Sequence, residues 1–262
     1  MGFVLGTNLL RNKIRFRGRK NQWAINFYDC LFMKPAILMG VGWNKYSGKI
    51  DLKSKFFYKR ALNDKYTHSV RDNYTKQKLF ECGIENVINT GCPSLWCLSE
   101  KHTEQLPTQK ARNVVFTLTD NTRSIEEDCK LIDILISHYE EVLFWPQGSE
   151  DLEYFHSLKN LKKSRIQILS CHLNSLDKAL NINDIEYVGT RLHAGIRAIQ
   201  KKKRSLIISI DNRATEMHKD FNLPVIGRNE LELLPLKIET DRITSLNIPL
   251  ESIKTWKDQF MR

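Results

Sequence analysis

Apolar residues recur along this chain in short blocks, and polar stretches separate the blocks at similar intervals. Ala36–Gly42, Tyr66–Asp72, Val87-Ile88, Val114–Leu118, Val142–Trp145, Ile166–Leu169, Ile185–Val188 and Leu206–Ile210 are too short for amphipathic helices and read as strands. Gly2–Gly6 reads as a further strand entering a turn. Helical periods lie between them at Leu52–Leu62, Thr75–Cys82 (closed by Gly83), Ile125–His138, Glu150–Leu158, Ser175–Leu180, Leu192–Lys203 and Ala214–Asp220. Leu192, Ile196 and Ile199 illustrate the pattern, falling on one helix face. Strands alternating with helices of this length predict parallel sheets with right-handed crossovers.

Glu100–Arg112 interrupts the alternation: it is polar, contains Pro107 and has no apolar period, as a linker would. The expected division is therefore a Rossmann-like domain over 1–106 and a second over 107–237. The tail, 238–262, has a helical period around Trp256 and is expected to pack back on the first domain.

In parallel sheets of this kind, ligands sit beyond the carboxyl ends of the strands, which selects the polar residues worth comparing. Arg191 and His193 follow Ile185–Val188, where a strand end meets a helix start. Helical N–H groups without partners and a positive dipole favour an anion there. An arginine adds a bidentate fork and a histidine a titratable proton. Capping and solvation are the alternative use of the same pair. Asp211-Asn212-Arg213 follow the next strand, Gln147 follows Val142–Trp145, and Arg71-Asp72 end Tyr66–Asp72. Gly40-x-Gly42 lacks the third glycine of a dinucleotide fingerprint, so no nicotinamide or flavin site is expected.

Charge narrows the partners. The chain carries 41 Lys and Arg against 30 Asp and Glu, a net charge of +11, concentrated at Arg11–Lys20 and Lys201–Arg204. Such a balance suits phosphates, acidic sugars or an anionic membrane surface. No nucleic-acid motif accompanies it, so no nucleic acid is expected as partner. No apolar run approaches the ~20 residues of a membrane span, and Met1–Thr7 lacks a basic leader. A cytoplasmic protein is expected, with peripheral contact at the inner membrane face. The six cysteines form no CxxC pair and have no histidine at zinc-ligand spacing, so no metal site is expected.

At Val188-Gly-Thr-Arg-Leu-His-Ala194 the sequence resembles the polysaccharide pyruvyl transferase family. Ser69-Val-Arg71-Asp72, followed by a helix and Gly83-Ile84, resembles that family's Ser-x-Arg-Asp signature, and Gln147-Gly148 with Asp151 its Gln-Gly turn. Arg213 stands where the family has a basic residue after the next strand. The resemblance spans roughly Ala36 to Ile226. It implies an α/β protein of two Rossmann-like parallel-sheet domains facing a cleft, similar to the glycosyltransferase-B architecture. Family members usually begin with a longer first half, so a truncated first domain is expected here.

The activity implied is transfer of a pyruvyl group from phosphoenolpyruvate to a saccharide or lipid-linked saccharide, forming a pyruvate ketal without any further cofactor. His193 and Arg191 would be the catalytic pair. Arg71, Arg213, Gln147, Asp72, Thr190 and Gly189 would bind substrate, with arginines on the donor's carboxylate and phosphate. Two other functions stay open on the residues alone. One is a metal-independent glycosyltransferase using Arg191 and Arg213 on a nucleotide-sugar diphosphate. The other is a non-catalytic relative in polysaccharide biosynthesis.

Overall fold

The computed structural model describes residues 2–14, 23, 25, 28–44, 46, 48–159 and 161–261. Of the basic run Arg11–Lys20, residues 15–20 lie outside them. Two compact units emerge, one of Met1–Trp96, Lys219–Phe221 and Asn247–Arg262, the other of Cys97–His218 and Asn222–Leu246.

In the first unit β1 (Gly2–Leu5) is followed by α1 (Asp29–Phe32) and β2 (Ala36–Met39), and the two strands pair in parallel from Gly2↔Ala36 to Leu5↔Met39. Next come α2 (Leu52–Ala61), β3 (His68–Val70), α3 (Asn73–Glu81) and β4 (Val87–Asn89), with β3 parallel to β4. Aspartates start both longer helices. Asp51 accepts from the Ser54 N–H and Asp72 from the Thr75 N–H, each at 2.7 Å, satisfying N–H groups the helix cannot. Between β2 and β3 side chains take the place of ladder bonds: Leu38 N–H donates to His68 Nδ1 at 3.1 Å and Gly40 N–H to Ser69 Oγ at 2.9 Å. A parallel bridge, Val41↔Val70, completes the join. The core beneath gathers Leu10, Leu38, Trp43, Phe57, Tyr58, Val70 and Leu79.

The second unit opens on α4 (Glu100–Thr103), inside the stretch whose polarity suggests a linker. A cap rather than an apolar period makes this helix: Ser99 Oγ accepts from the His102 N–H at 3.3 Å. Then follow β5 (Asn113–Thr117), α5 (Ile125–His138), β6 (Glu141–Phe144), α6 (Ser149–Ser157), β7 (Ile166–Ile168) and α7 (Leu173–Leu180). After them come β8 (Ile185–Gly189), α8 (Leu192–Gln200), β9 (Ser205–Ser209), α9 (Asn212–Phe221), β10 (Val225–Gly227) and α10 (Leu234–Glu239). All six strands are parallel, in the order β10-β9-β8-β5-β6-β7. The chain thus winds one way from β5 to β7 and the other way from β8 to β10, reversing between β5 and β8. Val114, Phe116, Phe144, Phe155, Val188 and Ile208 belong to the core on one side of this sheet. On α8, a Cβ at Gly195 would lie 2.4 Å from Ile207 Cγ1, so glycine lets the helix approach β9.

The chain then returns to the first unit as α11 (Leu250–Asp258). Its Trp256 and the following Phe260 pack edge-on against Phe3, with ring centroids 6.4 and 5.3 Å apart. Gln259 closes on Thr67 through both ends of its amide, at 2.8 and 3.1 Å. Among the described residues no helix is long and apolar enough to cross a membrane.

Candidate active site at the switch point of the second sheet

Beyond the carboxyl ends of β9, β8, β5 and β6, four adjacent strands deliver polar residues to one sheet edge. Where the winding reverses, neighbouring strands send their connections to opposite faces and leave a crevice. Thr190 and Arg191 leave β8 there, and Thr119 and Asp120 leave β5.

A dense set of bonds fixes this junction. Thr190 N–H donates to Thr117 O at 3.1 Å, and Arg191 N–H to Thr117 Oγ1 at 3.1 Å. The hydroxyls of Thr119 and Thr190 meet at 2.9 Å. Tyr187, fully buried, places its hydroxyl 2.7 Å from Thr117 Oγ1 and donates to Arg191 O at 2.9 Å. Burial pushes the Tyr187 phenol above its ordinary range, so it remains a neutral donor at physiological pH. A Cβ on Gly189 would lie 2.6 Å from both the N and Oγ1 of Thr117. Glycine is therefore what permits β8 to close on β5 at this level.

Arg191 is the charged centre. Its Nε donates to Leu118 O at 3.1 Å, and one terminal nitrogen reaches Asp120 Oδ1 at 2.8 Å and Asp151 Oδ1 as well. Asp151 is 1% exposed and also accepts from the backbone N–H groups of Asp120 and Gln147, each at 3.0 Å. The Gln147-Gly148 turn is thus tied to Asp120 and Arg191 through one carboxylate. Burial alone would raise the Asp120 carboxyl, but hydrogen bonds with the Asp151 and Glu150 side chains and the charge of Arg191 outweigh it and leave it lowered. Two carboxylates on one guanidinium orient that group firmly and offset its charge.

Around this centre His193 sits exposed in the first turn of α8, and Gln147 is exposed after β6. Arg213 is held by Asp211, its own helix cap, with Nε and a terminal nitrogen 2.7 and 2.6 Å from Asp211 Oδ2. The strand order therefore brings His193, Arg191, Thr190, Gly189, Gln147 and Arg213 to one edge. Arg71 and Asp72 belong to the first unit. Arg71 is 2% exposed, donates to Asn8 Oδ1 and lies 3.7 Å from Asp72. A Cβ at Gly42 would fall 2.6 Å from the Arg71 Cζ, so that glycine opens the space the guanidinium fills. Asp72 caps α3 and accepts from Tyr46 at 2.7 Å.

Thr117, Thr119, Asp120 and Tyr187 have no place in the sequence reading, and Asp151 enters it only as part of a turn. Asp120 was within reach, because it follows an apolar run by the same strand-end rule that selects Arg191. Among the described residues, no three His, Cys, Asp or Glu side chains are grouped to hold a metal ion.

A parallel sheet with a charged junction at its switch point defines a Rossmann-like α/β protein, and comparison with known proteins agrees. The fold is similar to UDP-GlcNAc 2-epimerase from Methanocaldococcus jannaschii, with a TM-score of 0.51 and 13% identity over 89% of this chain and 72% of that one. At that identity the likeness concerns the fold. The polysaccharide pyruvyl transferase family model matches residues 4–212, which run from the second half of β1 through β9 to the first residue of α9. The chain belongs to that family and is a transferase. No curated protein matches it in sequence.

Proposed function

We propose that the chain transfers a pyruvyl group from phosphoenolpyruvate to two hydroxyls of a saccharide, free or lipid-linked, releasing phosphate. A first hydroxyl adds to C2 of the donor's enol, and its proton is balanced by one delivered to C3, where the methylene becomes a methyl. A second hydroxyl then displaces phosphate from C2, its proton leaving on the phosphate, and closes the ketal. His193, exposed at the start of α8, is the group that moves these protons, since an imidazole can serve as base and then as acid.

Arg191 and Arg213, with the Thr190 hydroxyl and the backbone at Gly189, receive the donor's carboxylate and phosphate. Asp120 and Asp151 hold Arg191 in its orientation, so its charge is directed rather than freely offered. Gln147 contacts the saccharide. Arg71 acts by position, keeping the Gly40–Trp43 segment in place against Asn8, with Asp72 starting α3. The reaction needs no other cofactor, and it is placed in the cytoplasm, where phosphoenolpyruvate is made, at the inner membrane face when the saccharide is lipid-linked.

The observation that carries this reading is the family match over residues 4–212 combined with the Arg191–His193 pair at the switch point. The test is phosphate release from phosphoenolpyruvate in the presence of saccharide acceptors. His193→Gln is expected to abolish it. Near-normal turnover in that variant removes His193 from the chemistry, and release from no acceptor tried, with nucleotide sugars consumed instead, moves the reaction to another transferase class.

A further inference from the structure

At the amino ends of β9 and β10, the sheet edge opposite Arg191, a cavity of about 140 Å³ is lined by His218, Asn222, Lys237, Arg242, Thr244 and Ser245 among others. None of the described residues that line it carries a carboxylate. Behind it lies an unusual buried charge balance. Glu186 is 3% exposed and accepts from Tyr139 and, at 3.4 Å, from the Ala111 N–H, while Arg204 Nε stands 3.6 Å away. Arg204 turns one terminal nitrogen to the carbonyls of Lys237, Ile238 and Thr240, at 2.8, 2.9 and 3.0 Å. Arg242 comes in beside this pair and donates to Ser205 O at 2.7 Å.

One carboxylate thus faces two guanidinium groups, and burial raises that carboxyl's pKa against the pull of Arg204 and Arg242. Arg242 is lowered to about 10 by burial and by Arg204, yet it remains a cation at neutral pH. Two lining atoms, Arg242 Nε and Thr244 Oγ1, are buried without hydrogen-bond partners, and Arg204 Nε and Nη1, which lie behind the cavity and do not line it, add unpaired donors to the same cluster. Buried donors and charges left without partners cost free energy that a suitable anion recovers. The exposed Lys237 adds a further cation at the rim.

We propose that this cavity is a second anion site, which takes a small multivalent oxyanion, free phosphate or the phosphoryl group of a metabolite, against Arg242 and Lys237. Its excess positive charge has no counterpart among the lining residues, and it is separate from the Arg191 edge because it opens at the other ends of the strands. The inference does not rest on the reaction proposed above.

The test is titration of the full chain with inorganic phosphate at constant ionic strength, followed by calorimetry and by backbone amide shifts at Asn222, Thr244 and Ser245. Saturable binding with shifts at those residues is expected. Lys237→Gln, at an exposed position, should weaken it about tenfold, the scale of one charged hydrogen bond. Arg242→Gln should abolish it, and Arg191→Gln should leave it intact. Should Arg242→Gln fail to fold, Lys237→Gln and the amide shifts decide alone. A sugar phosphate binding more tightly than phosphate identifies a metabolite as the source; equal affinity identifies free phosphate. No saturable binding, unchanged affinity in Lys237→Gln, or loss of binding in Arg191→Gln overturns the proposal.

Discussion

Asp151 and Arg191, forty positions apart, are joined in an ion pair whose carboxylate is 1% exposed and whose guanidinium is 19% exposed. The same carboxylate holds the N–H groups of Asp120 and Gln147, so three loops at one sheet edge depend on it. Asp151→Asn keeps the shape but removes the charge and one acceptor. It should lower stability by roughly 2 kcal/mol, since it weakens charged hydrogen bonds at a buried position, with the arginine's partial exposure moderating the loss. Urea unfolding checks this. In the proposed reaction the same variant should raise the KM for the donor more than it lowers kcat.

His193 makes the opposite prediction. As an exposed residue in the first turn of α8, it can be replaced by Gln with a change in unfolding free energy within about 0.5 kcal/mol. Phosphate release should nevertheless disappear. A fall in thermal midpoint comparable with that of Asp151→Asn would show that the side chain is structural.

Gly189 tests the packing of the junction. The methyl of Gly189→Ala would meet the Thr117 backbone nitrogen at 2.6 Å, and backbone cannot turn aside as a flexible side chain can. A destabilisation of about 1–3 kcal/mol is expected, measurable as a lower urea midpoint at unchanged slope. The added strain falls on Thr117 and Arg191 together, so activity should suffer even at temperatures where the variant is folded.

His68 gives the fold a dependence on pH. It is fully buried between β2 and β3, with Nδ1 accepting from Leu38 and Nε2 donating to Asn63 O at 2.8 Å, a pattern only the neutral ring provides. Burial lowers its pKa from 6.5 to about 4 despite the bond to Asn63. Between those values the unfolded chain binds a proton that the folded one refuses. Stability is therefore complete above pH 6.5 and declines as the pH falls toward 4, by up to roughly 3 kcal/mol from this residue. Unfolding midpoints at pH 7.5 and 5 should differ accordingly, and His68→Gln should flatten the difference.

Much of the second unit can be read directly from the chain, because buried parallel strands are continuous apolar runs and their crossover helices keep a clear period. Val114–Leu118, Val142–Trp145 and Ile185–Val188 each fall within a residue or two of β5, β6 and β8. Strand order is another matter. Periodicity places Arg191 at a strand end, but nothing in it states that β8 lies beside β5, and on that adjacency the roles of Thr117, Asp120 and Tyr187 depend. The helix α4 also escapes, since its origin is a single serine cap rather than a repeating face. In the first unit the strands are short and joined partly by His68 and Ser69 side chains, so its alternation carries less of the architecture.

The aromatic closure of the first unit has a consequence for the order in which the protein can mature. Phe3 and Tyr66 lean on Trp256 and Phe260, residues that emerge from the ribosome 167 and 171 positions after Asn89, the end of β4. Domains usually complete themselves in the order of translation. Phe3 and Tyr66 therefore keep apolar surface uncovered until nearly the whole of the second unit has been synthesised. For that interval the nascent β1–β4 segment exposes an apolar patch of the kind chaperones bind, and the arrival of α11 covers it.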